Sequence, residues 1–116
     1  MKPALSVIIV SYRSQGVLGA CLDSLAAARA EIALEVIVVD NASGDGTAEW
    51  LRGAYPWITL VEAGENRGYG AGVNLGVTDA SGAALLVLNP DSIVPAGALP
   101  ALAAALAATP HAAIVA

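Results

Sequence analysis

The chain has 116 residues, enough for one domain with a hydrophobic core. Its formal net charge of −5 argues against a nucleic-acid partner, because binding to a nucleic-acid backbone needs a basic surface. The single cysteine, Cys21, excludes an internal disulfide, and no apolar run reaches the roughly 18 residues of a membrane span. Since no signal-peptide pattern precedes the first strand-like run, we expect a cytoplasmic protein, with the inner face of the membrane as an alternative location.

Strand-like and helix-like patterns alternate along the chain. Short apolar runs rich in β-branched residues predict buried parallel strands at residues 5–10, 34–39, 57–61, 84–88 and, as a fifth, 112–115. Apolar residues near helical spacing predict helices at residues 17–29, 47–52, 71–80 and 96–108. Thr47 is the predicted cap of the second helix, and Cys21 takes a buried position in the first. The alternation predicts an α/β fold, a Rossmann-like three-layer α/β/α arrangement with a mostly parallel sheet.

The last predicted helix, residues 96–108, contains no charged residue. A helix that is apolar on every side is normally buried, so we expect further protein or another subunit to cover it. A general richness in alanine is the alternative explanation. The apolar surface also leaves a homo-oligomer as an open alternative.

Polar residues follow the first four predicted strands. They are Ser11-Tyr12-Arg13, Asp40-Asn41, Glu65-Asn66-Arg67-Gly68 and Asn89-Pro90-Asp91. In an open parallel sheet the carboxyl ends of the strands meet at one edge, and ligands bind outside that edge. We therefore expect these groups to line one rim of the domain.

Two of the rim residues, Asp40 and Arg67, have chemistry suited to a nucleotide, as does Asn74 in the following helix, and each has a plainer alternative. Asp40 could accept hydrogen bonds from a base or a ribose, or it could stabilise a turn. Arg67, among glycines, could pair with a phosphate or a base carbonyl, or it could be a solvated surface residue. Asn74 could face the cleft from the following helix, or it could be an exposed polar residue.

Asp91 is the candidate metal ligand. A carboxylate placed directly after a buried strand suits a hard divalent cation, Mg²⁺ or Mn²⁺, which takes one or two carboxylates together with phosphate oxygens and water. Such a cation would neutralise a diphosphate, so an acidic protein could bind one. The alternative is that residues 90–92 form only a turn before Pro95.

Five segments of the sequence, taken in order, resemble one known family. They are "SVIIVSYRS", "CLDSL", "EVIVVDNASGDGT", "ENRGYGAGVNLG" and "LLVLNPDSIVP". Together they resemble the amino-terminal half of a family 2 glycosyltransferase with the GT-A fold, and "NPD" is similar to the form in rhamnosyltransferase-like members.

The resemblance implies transfer of a sugar, with inversion, from a nucleotide diphosphate donor to an acceptor hydroxyl. It implies that Ser11 and Tyr12 lie beside the nucleobase, Asp40 recognises the base, Asn66 and Arg67 border the nucleotide, and Asn74 lines the donor site. The family's metal motif has two aspartates. Here Asn89 takes the first position and is expected to contact the nucleotide sugar, while Asp91 is expected to bind Mg²⁺ or Mn²⁺.

The resemblance also bears on substrates and on the extent of the domain. It implies a dTDP- or UDP-sugar donor and a carbohydrate or lipid-linked acceptor. In the family the general base, which takes the acceptor's proton, belongs to the second half of the enzyme. We therefore expect residues 1–116 to be a single donor-binding domain, truncated relative to a complete glycosyltransferase.

Two other function classes stay open. A dinucleotide-binding oxidoreductase domain would explain the glycines from Gly68 to Gly76, although that fingerprint normally follows the first strand. A non-catalytic nucleotide-binding or oligomerisation module would explain the uncharged last helix.

Overall fold

The computed structural model describes residues 2–108 of the chain. Strands and helices alternate through this region, as the sequence predicts. The strands are β1 (Leu5–Ser11), β2 (Leu34–Asp40), β3 (Thr59–Glu62) and β4 (Ala84–Leu88). The helices are α1 (Gln15–Ala28), α2 (Thr47–Ala54), α3 (Tyr69–Asp79) and α4 (Ala98–Ala108). The predicted strand at 112–115 lies outside the described residues.

The strands form one parallel sheet in the order β3-β2-β1-β4. The chain winds outward from β1 to β3 and then crosses back, so that β4 lies on the other side of β1. The strand order therefore reverses between β1 and β4. In open α/β sheets, ligand crevices form at such a reversal, outside the carboxyl ends of the strands.

Helices cover β1 on both faces of the sheet. Successive side chains of a strand point to opposite faces. Leu5, Val7 and Ile9 belong to a large apolar cluster that includes buried residues of α1, α2 and α4. Ile8 and Val10 face α3 on the other side. Every residue of β1 is buried, and the predicted three-layer α/β/α arrangement is confirmed.

Glycines allow α3 to lie close against the sheet. A Cβ atom at Gly76 would lie 2.6 Å from Ile8 Cγ2, and one at Gly72 would lie 2.8 Å from Val10 Cγ1. Both distances are well inside van der Waals contact, so only glycine fits at these positions without a shift of β1. These two glycines are explained by helix–sheet packing, and a dinucleotide fingerprint is not needed to account for them.

The predicted cap of α2 is wrong. The N-cap residue is Gly46, with φ of 84°, and Thr47 is the first residue of the helix. The Asp45 carboxylate accepts from the Thr47 amide at 3.2 Å and also from the Thr47 hydroxyl, and these hydrogen bonds lower its pKa. An acidic side chain two residues before Thr47 therefore supplies the acceptor that the threonine was expected to provide.

Helix α4 is more exposed than its composition predicts. Leu99 is its only residue classed as buried among those the structure describes, and Leu102 packs against the same apolar cluster from a half-buried position. The alanines at 101, 104, 105, 107 and 108 are exposed. Within residues 2–108, no helix has the length and hydropathy required to cross a bilayer.

The close approach of α3 predicts a strong effect at Gly76. Gly76→Ala should lower the free energy of unfolding by about 1–3 kcal/mol, because the added methyl group overpacks against Ile8. Gly70→Ala, in the same helix but with no atom near the added methyl, should be neutral or stabilising by up to about 1 kcal/mol. Urea denaturation of both variants measures the difference, and equal stabilities would contradict the packing argument.

A polar cluster joins the strands at the opposite, amino-terminal edge of the sheet. The Ser6 hydroxyl donates to Glu35 at 2.7 Å and accepts from the Gly82 amide at 2.8 Å. The Ser81 amide and hydroxyl donate to the same carboxylate at 2.9 and 3.2 Å. Partial burial raises the pKa of Glu35, but the hydrogen bonds from Ser81 and Ser6 outweigh it and bring the pKa below its ordinary value.

This lowered pKa predicts a pH-dependent contribution to stability. Because Glu35 binds its proton more weakly in the folded chain than in the unfolded chain, its carboxylate stabilises the fold above the ordinary pKa of about 4.3. The contribution is lost as the pH falls from that value through the lowered folded-state pKa. Urea unfolding between about pH 3 and pH 7 should show the advantage of the parent over Glu35→Gln shrinking in acid. An advantage that does not change with pH would contradict it.

Candidate functional site

The predicted polar rim forms at the carboxyl ends of β1 and β2. Ser11 and Asp40 are register partners in the two strands, and the Asn41 amide donates to the Ser11 carbonyl at 2.8 Å. Asp40, at the end of β2, is 7% exposed and Asn41 is 3% exposed. Most buried polar groups in proteins are hydrogen-bonded, so the partners of Asp40 and Asn41 show which segments are held at this edge.

Asp40 connects the loops that follow β1 and β2. The Ser43 hydroxyl donates to Asp40 Oδ1 at 2.5 Å and accepts from the Arg13 amide at 2.8 Å. Arg13 and Ala42 both have positive φ, 52° and 62°, a conformation uncommon for residues other than glycine. A carboxylate can accept several hydrogen bonds, so Asp40 retains acceptor capacity after the bond from Ser43. It borders a cleft of about 350 Å³ that also includes Gly44 and Gly64.

Asn41 holds the segment that leads into α3. Its Nδ2 donates to Asn66 Oδ1 at 3.0 Å and to the Gly68 carbonyl at 3.1 Å, and the Gly68 amide donates back to Asn66 Oδ1 at 2.9 Å. The sequence pattern alone predicts no separate role for Asn41. Its position beside Asp40 at a strand end was the available signal. Asn66 is used here as a structural acceptor, in addition to the nucleotide contact predicted for it.

A second cleft brings Arg67 and Asn74 together. Its volume is about 370 Å³, and its lining also includes Asn41, Glu65 and Thr78. Asn74, on α3, is exposed and borders this cleft, so both of the alternatives given for it from the sequence describe its position. Arg67 is ion-paired with Glu65, and both side chains are largely exposed. Exposed ion pairs contribute little binding free energy, so Glu65 competes only weakly with an anionic ligand for Arg67.

Ser11 and Tyr12 have contrasting environments at the end of β1. The Ser11 side chain is fully buried, and its Oγ has no hydrogen-bond partner among residues 2–108. Tyr12 is 45% exposed, and the Arg13 guanidinium lies 5.3 Å from its ring centroid. The tyrosine ring is thus free to contact a ligand, whereas the serine hydroxyl is not at the surface.

Asn89 and Asp91 lie beyond the end of β4, and both are exposed. Along with Ser11 and Tyr12, they line neither of the two clefts described above. Among residues 2–108, no three His, Cys, Asp or Glu side chains form a group that could hold a metal ion. The single Asp91 carboxylate fits a cation that takes its remaining ligands from phosphate oxygens and water.

The thiol of Cys21 lies beneath this segment. Cys21 is fully buried, as predicted. Its pKa is raised to about 11, mainly by burial and to a smaller extent by the nearby charge of Asp91. A thiol with a raised pKa is protonated at neutral pH and is a poor nucleophile. A structural role for Cys21 is therefore favoured over a catalytic one.

A parallel sheet with a reversed strand order and a polar carboxyl edge defines an α/β domain of the nucleotide-binding type. Comparison with known families specifies the class further. The sequence model of glycosyl transferase family 2 matches residues 6–116, and the chain belongs to this family. The resemblance stated from the sequence motifs is confirmed.

Individual relatives agree with this assignment. The N-acetylglucosaminyl-diphospho-decaprenol L-rhamnosyltransferase of Mycobacterium tuberculosis is 38% identical over 74 residues, which cover 64% of this chain and 24% of that protein. A mannosyltransferase from Pyrobaculum calidifontis, solved with GDP-Man and Mn²⁺, superposes with a TM-score of 0.79 and 31% identity, covering 95% of this chain and 34% of that one. TarS 1-349 of S. aureus, solved with UDP, gives 0.76 and 27%, covering 90% and 31%. The chain thus spans about a quarter to a third of these proteins.

The hydroxyl of Ser11, which has no partner within residues 2–108, predicts an unusual mutational result. Ser11→Ala should leave the free energy of unfolding unchanged or raise it by about 1 kcal/mol, because it removes a buried group that bonds to none of the described residues. Ser6→Ala, on the same strand, removes a buried hydroxyl bonded to Glu35 and Gly82 and should cost about 1–3 kcal/mol. Urea denaturation compares the two. A loss in Ser11→Ala as large as in Ser6→Ala would contradict the assignment.

Proposed function

We propose that this chain is the donor-binding domain of an inverting glycosyltransferase, which transfers a sugar from a nucleotide diphosphate to an acceptor hydroxyl. Membership of glycosyl transferase family 2 supports the reaction class. The main support for the binding site is Asp40, which is buried at the carboxyl end of β2. Its carboxylate borders a cleft and can accept further hydrogen bonds from a ligand there. Neither a dinucleotide-binding oxidoreductase nor a purely structural module accounts for both findings.

The nucleoside binds at the ends of β1 and β2 in this proposal. The Asp40 carboxylate accepts a hydrogen bond from the base, and its position is fixed by the hydroxyl of Ser43. The exposed ring of Tyr12 supplies a surface for stacking. Ser11 lies beneath this position. Arg67 pairs with a base carbonyl or a phosphate after release from Glu65.

The remaining donor contacts come from α3 and from the end of β4. Asn66 borders the nucleotide, and Asn74 lines the cleft that contains Arg67. Asp91 holds Mg²⁺ or Mn²⁺ together with the diphosphate, and Asn89 contacts the nucleotide sugar without adding charge. The cation supplies neutralisation of the diphosphate charge. The Mn²⁺ in the Pyrobaculum mannosyltransferase complex supports the use of a divalent cation.

The comparisons also favour classes of substrate. UDP in the TarS complex supports a UDP-sugar donor, with a dTDP-sugar as the alternative that the rhamnosyltransferase resemblance favours. The name of the mycobacterial relative supports a carbohydrate acceptor carried on a lipid diphosphate.

We infer a cytoplasmic location, at the inner face of the membrane where such an acceptor is presented. Residues 1–116 form one domain in this proposal, and the general base lies elsewhere in a complete enzyme.

Calorimetric titration with UDP and dTDP, with and without Mn²⁺, tests the donor site. Mn²⁺ should tighten binding to the parent chain, because the metal offsets the repulsion between Asp91 and the diphosphate. Asp91→Ala should abolish the Mn²⁺ effect. Asp40→Asn should weaken binding by about tenfold whether or not Mn²⁺ is present, because the charged acceptor for the base is lost.

Asp79→Ala is the matched control, because it removes an exposed carboxylate from the last turn of α3. It should leave both affinities unchanged. A folded chain that binds neither nucleotide, or an Mn²⁺ effect that survives in Asp91→Ala, would overturn the proposal.

Light scattering on the same samples tests the homo-oligomer alternative. A molecular mass that rises with protein concentration would indicate that the chain self-associates through its exposed apolar surface.

A further inference from the structure

Residues 89–94, the first part of the connection from β4 to α4, contain Asp91 at an exposed position. An exposed connection of this kind would normally be mobile, and a single carboxylate on it would be poorly fixed. In this structure the segment is attached near both ends to one helix, α1. The two attachments involve Cys21 and Ser24, which are three residues apart and therefore neighbours on the surface of the helix.

Ser24 provides the stronger attachment. Its hydroxyl donates to the Cys21 carbonyl one turn earlier at 2.7 Å and accepts from the Val94 amide at 3.0 Å. The first hydrogen bond orients the hydroxyl, so its free acceptor site points away from the helix toward the segment. The Val94 side chain packs against the main apolar cluster, which fixes the same end of the segment a second time.

Cys21 provides the weaker attachment at the other end. Its Sγ lies 3.9 Å from the Asn89 carbonyl oxygen, within the range of a thiol donor. The same carbonyl accepts from the Ser92 amide at 3.1 Å, which closes a turn around Asp91. The segment is thus bounded by a contact at Asn89 and a hydrogen bond at Val94, with the acidic residue between them.

We propose that Ser24 and Cys21 are positioning residues that hold residues 89–94 so that Asp91 is presented to the donor's cation. The proposal rests on the proposed function, since it assigns Asp91 to that cation. The physical reason is pre-organisation: a segment that is already ordered loses less conformational entropy when a ligand binds. One carboxylate on an unfixed loop would bind a shared cation more weakly for this reason.

The test uses the ratio of UDP dissociation constants measured without and with Mn²⁺. In Ser24→Ala this ratio should fall by about three- to tenfold, the range expected from one hydrogen bond, while metal-free UDP affinity stays within about twofold of the parent. Ser24→Thr retains the hydroxyl and should restore the ratio. Cys21→Ala should lower the ratio in the same direction by a smaller factor, because a thiol is a weak donor.

Ser81→Ala is the matched control for a general loss of stability. It also removes a hydroxyl that makes two polar contacts, but these lie at the other edge of the sheet, on Glu35. It should lower stability without changing the ratio. A ratio unchanged in Ser24→Ala, in a chain where Asp91→Ala abolishes the Mn²⁺ effect, would overturn the positioning role.

Amide hydrogen exchange without metal separates this proposal from the proposed function. The Val94 amide should be protected in the parent, exchange at least about tenfold faster in Ser24→Ala, and stay protected in Ser81→Ala. Equal exchange in the parent and Ser24→Ala would overturn the attachment. If the parent shows no Mn²⁺ effect on UDP binding, the metal role of Asp91 fails. Faster exchange at Val94 would then still support Ser24 as the residue that orders the segment.

Discussion

The pairing of β1 with β2 and β4 is the interaction on which the rest of the structure depends. β1 is the only strand of the described sheet that is buried along its full length, and it lies where the strand order reverses. Its register with β2 places Ser11 opposite Asp40, so the polar edge is a consequence of strand pairing. The close approach of α3 through Gly72 and Gly76 then brings the segment carrying Arg67 to the same edge. A shift of β1 by one residue would exchange its two faces and separate these groups.

The carboxyl edge is ordered by internal hydrogen bonds on both sides of the reversal. On one side, Asp40 and Asn41 are buried and hold the loops that follow β1, β2 and β3. On the other side, α1 holds the segment after β4 through Ser24. Helix α1, which carries Ser24, begins at Gln15, shortly after the loop that follows β1. Ser24 can reach the segment after β4 because the chain crosses back over β1 before it forms β4.

The sequence predicts the architecture well because local patterns, apolar runs for the strands and apolar spacing for the helices, indicate it. Apolar runs identified each described strand, and the buried position of Cys21 followed from helical spacing. The missed features depend on contacts between distant segments. The glycines of α3 are unfavourable by helix propensity, which does not include the close packing against β1 that selects them. Similarly, the hydrogen bond between Ser24 and Val94 exists only after β4 has returned beside β1, and no local pattern contains that information.

Asn89 takes the place of the first acid of the family's metal motif, which reduces the number of carboxylate ligands at the proposed donor site to one. With one carboxylate, the motif alone offers a divalent cation too few oxygen ligands, and the described residues contain no group of three His, Cys, Asp or Glu side chains that could hold a metal ion. In the proposed site the cation would therefore obtain most of its ligands from the diphosphate and water, so that cation and donor would bind as one unit. In such a site, an ordered segment around Asp91 would contribute more to cation affinity than in a site with two acids. The reason is that no second carboxylate limits the position of the cation. In the proposed site, the attachment to α1 would help a chain of low charge to bind a highly charged ligand.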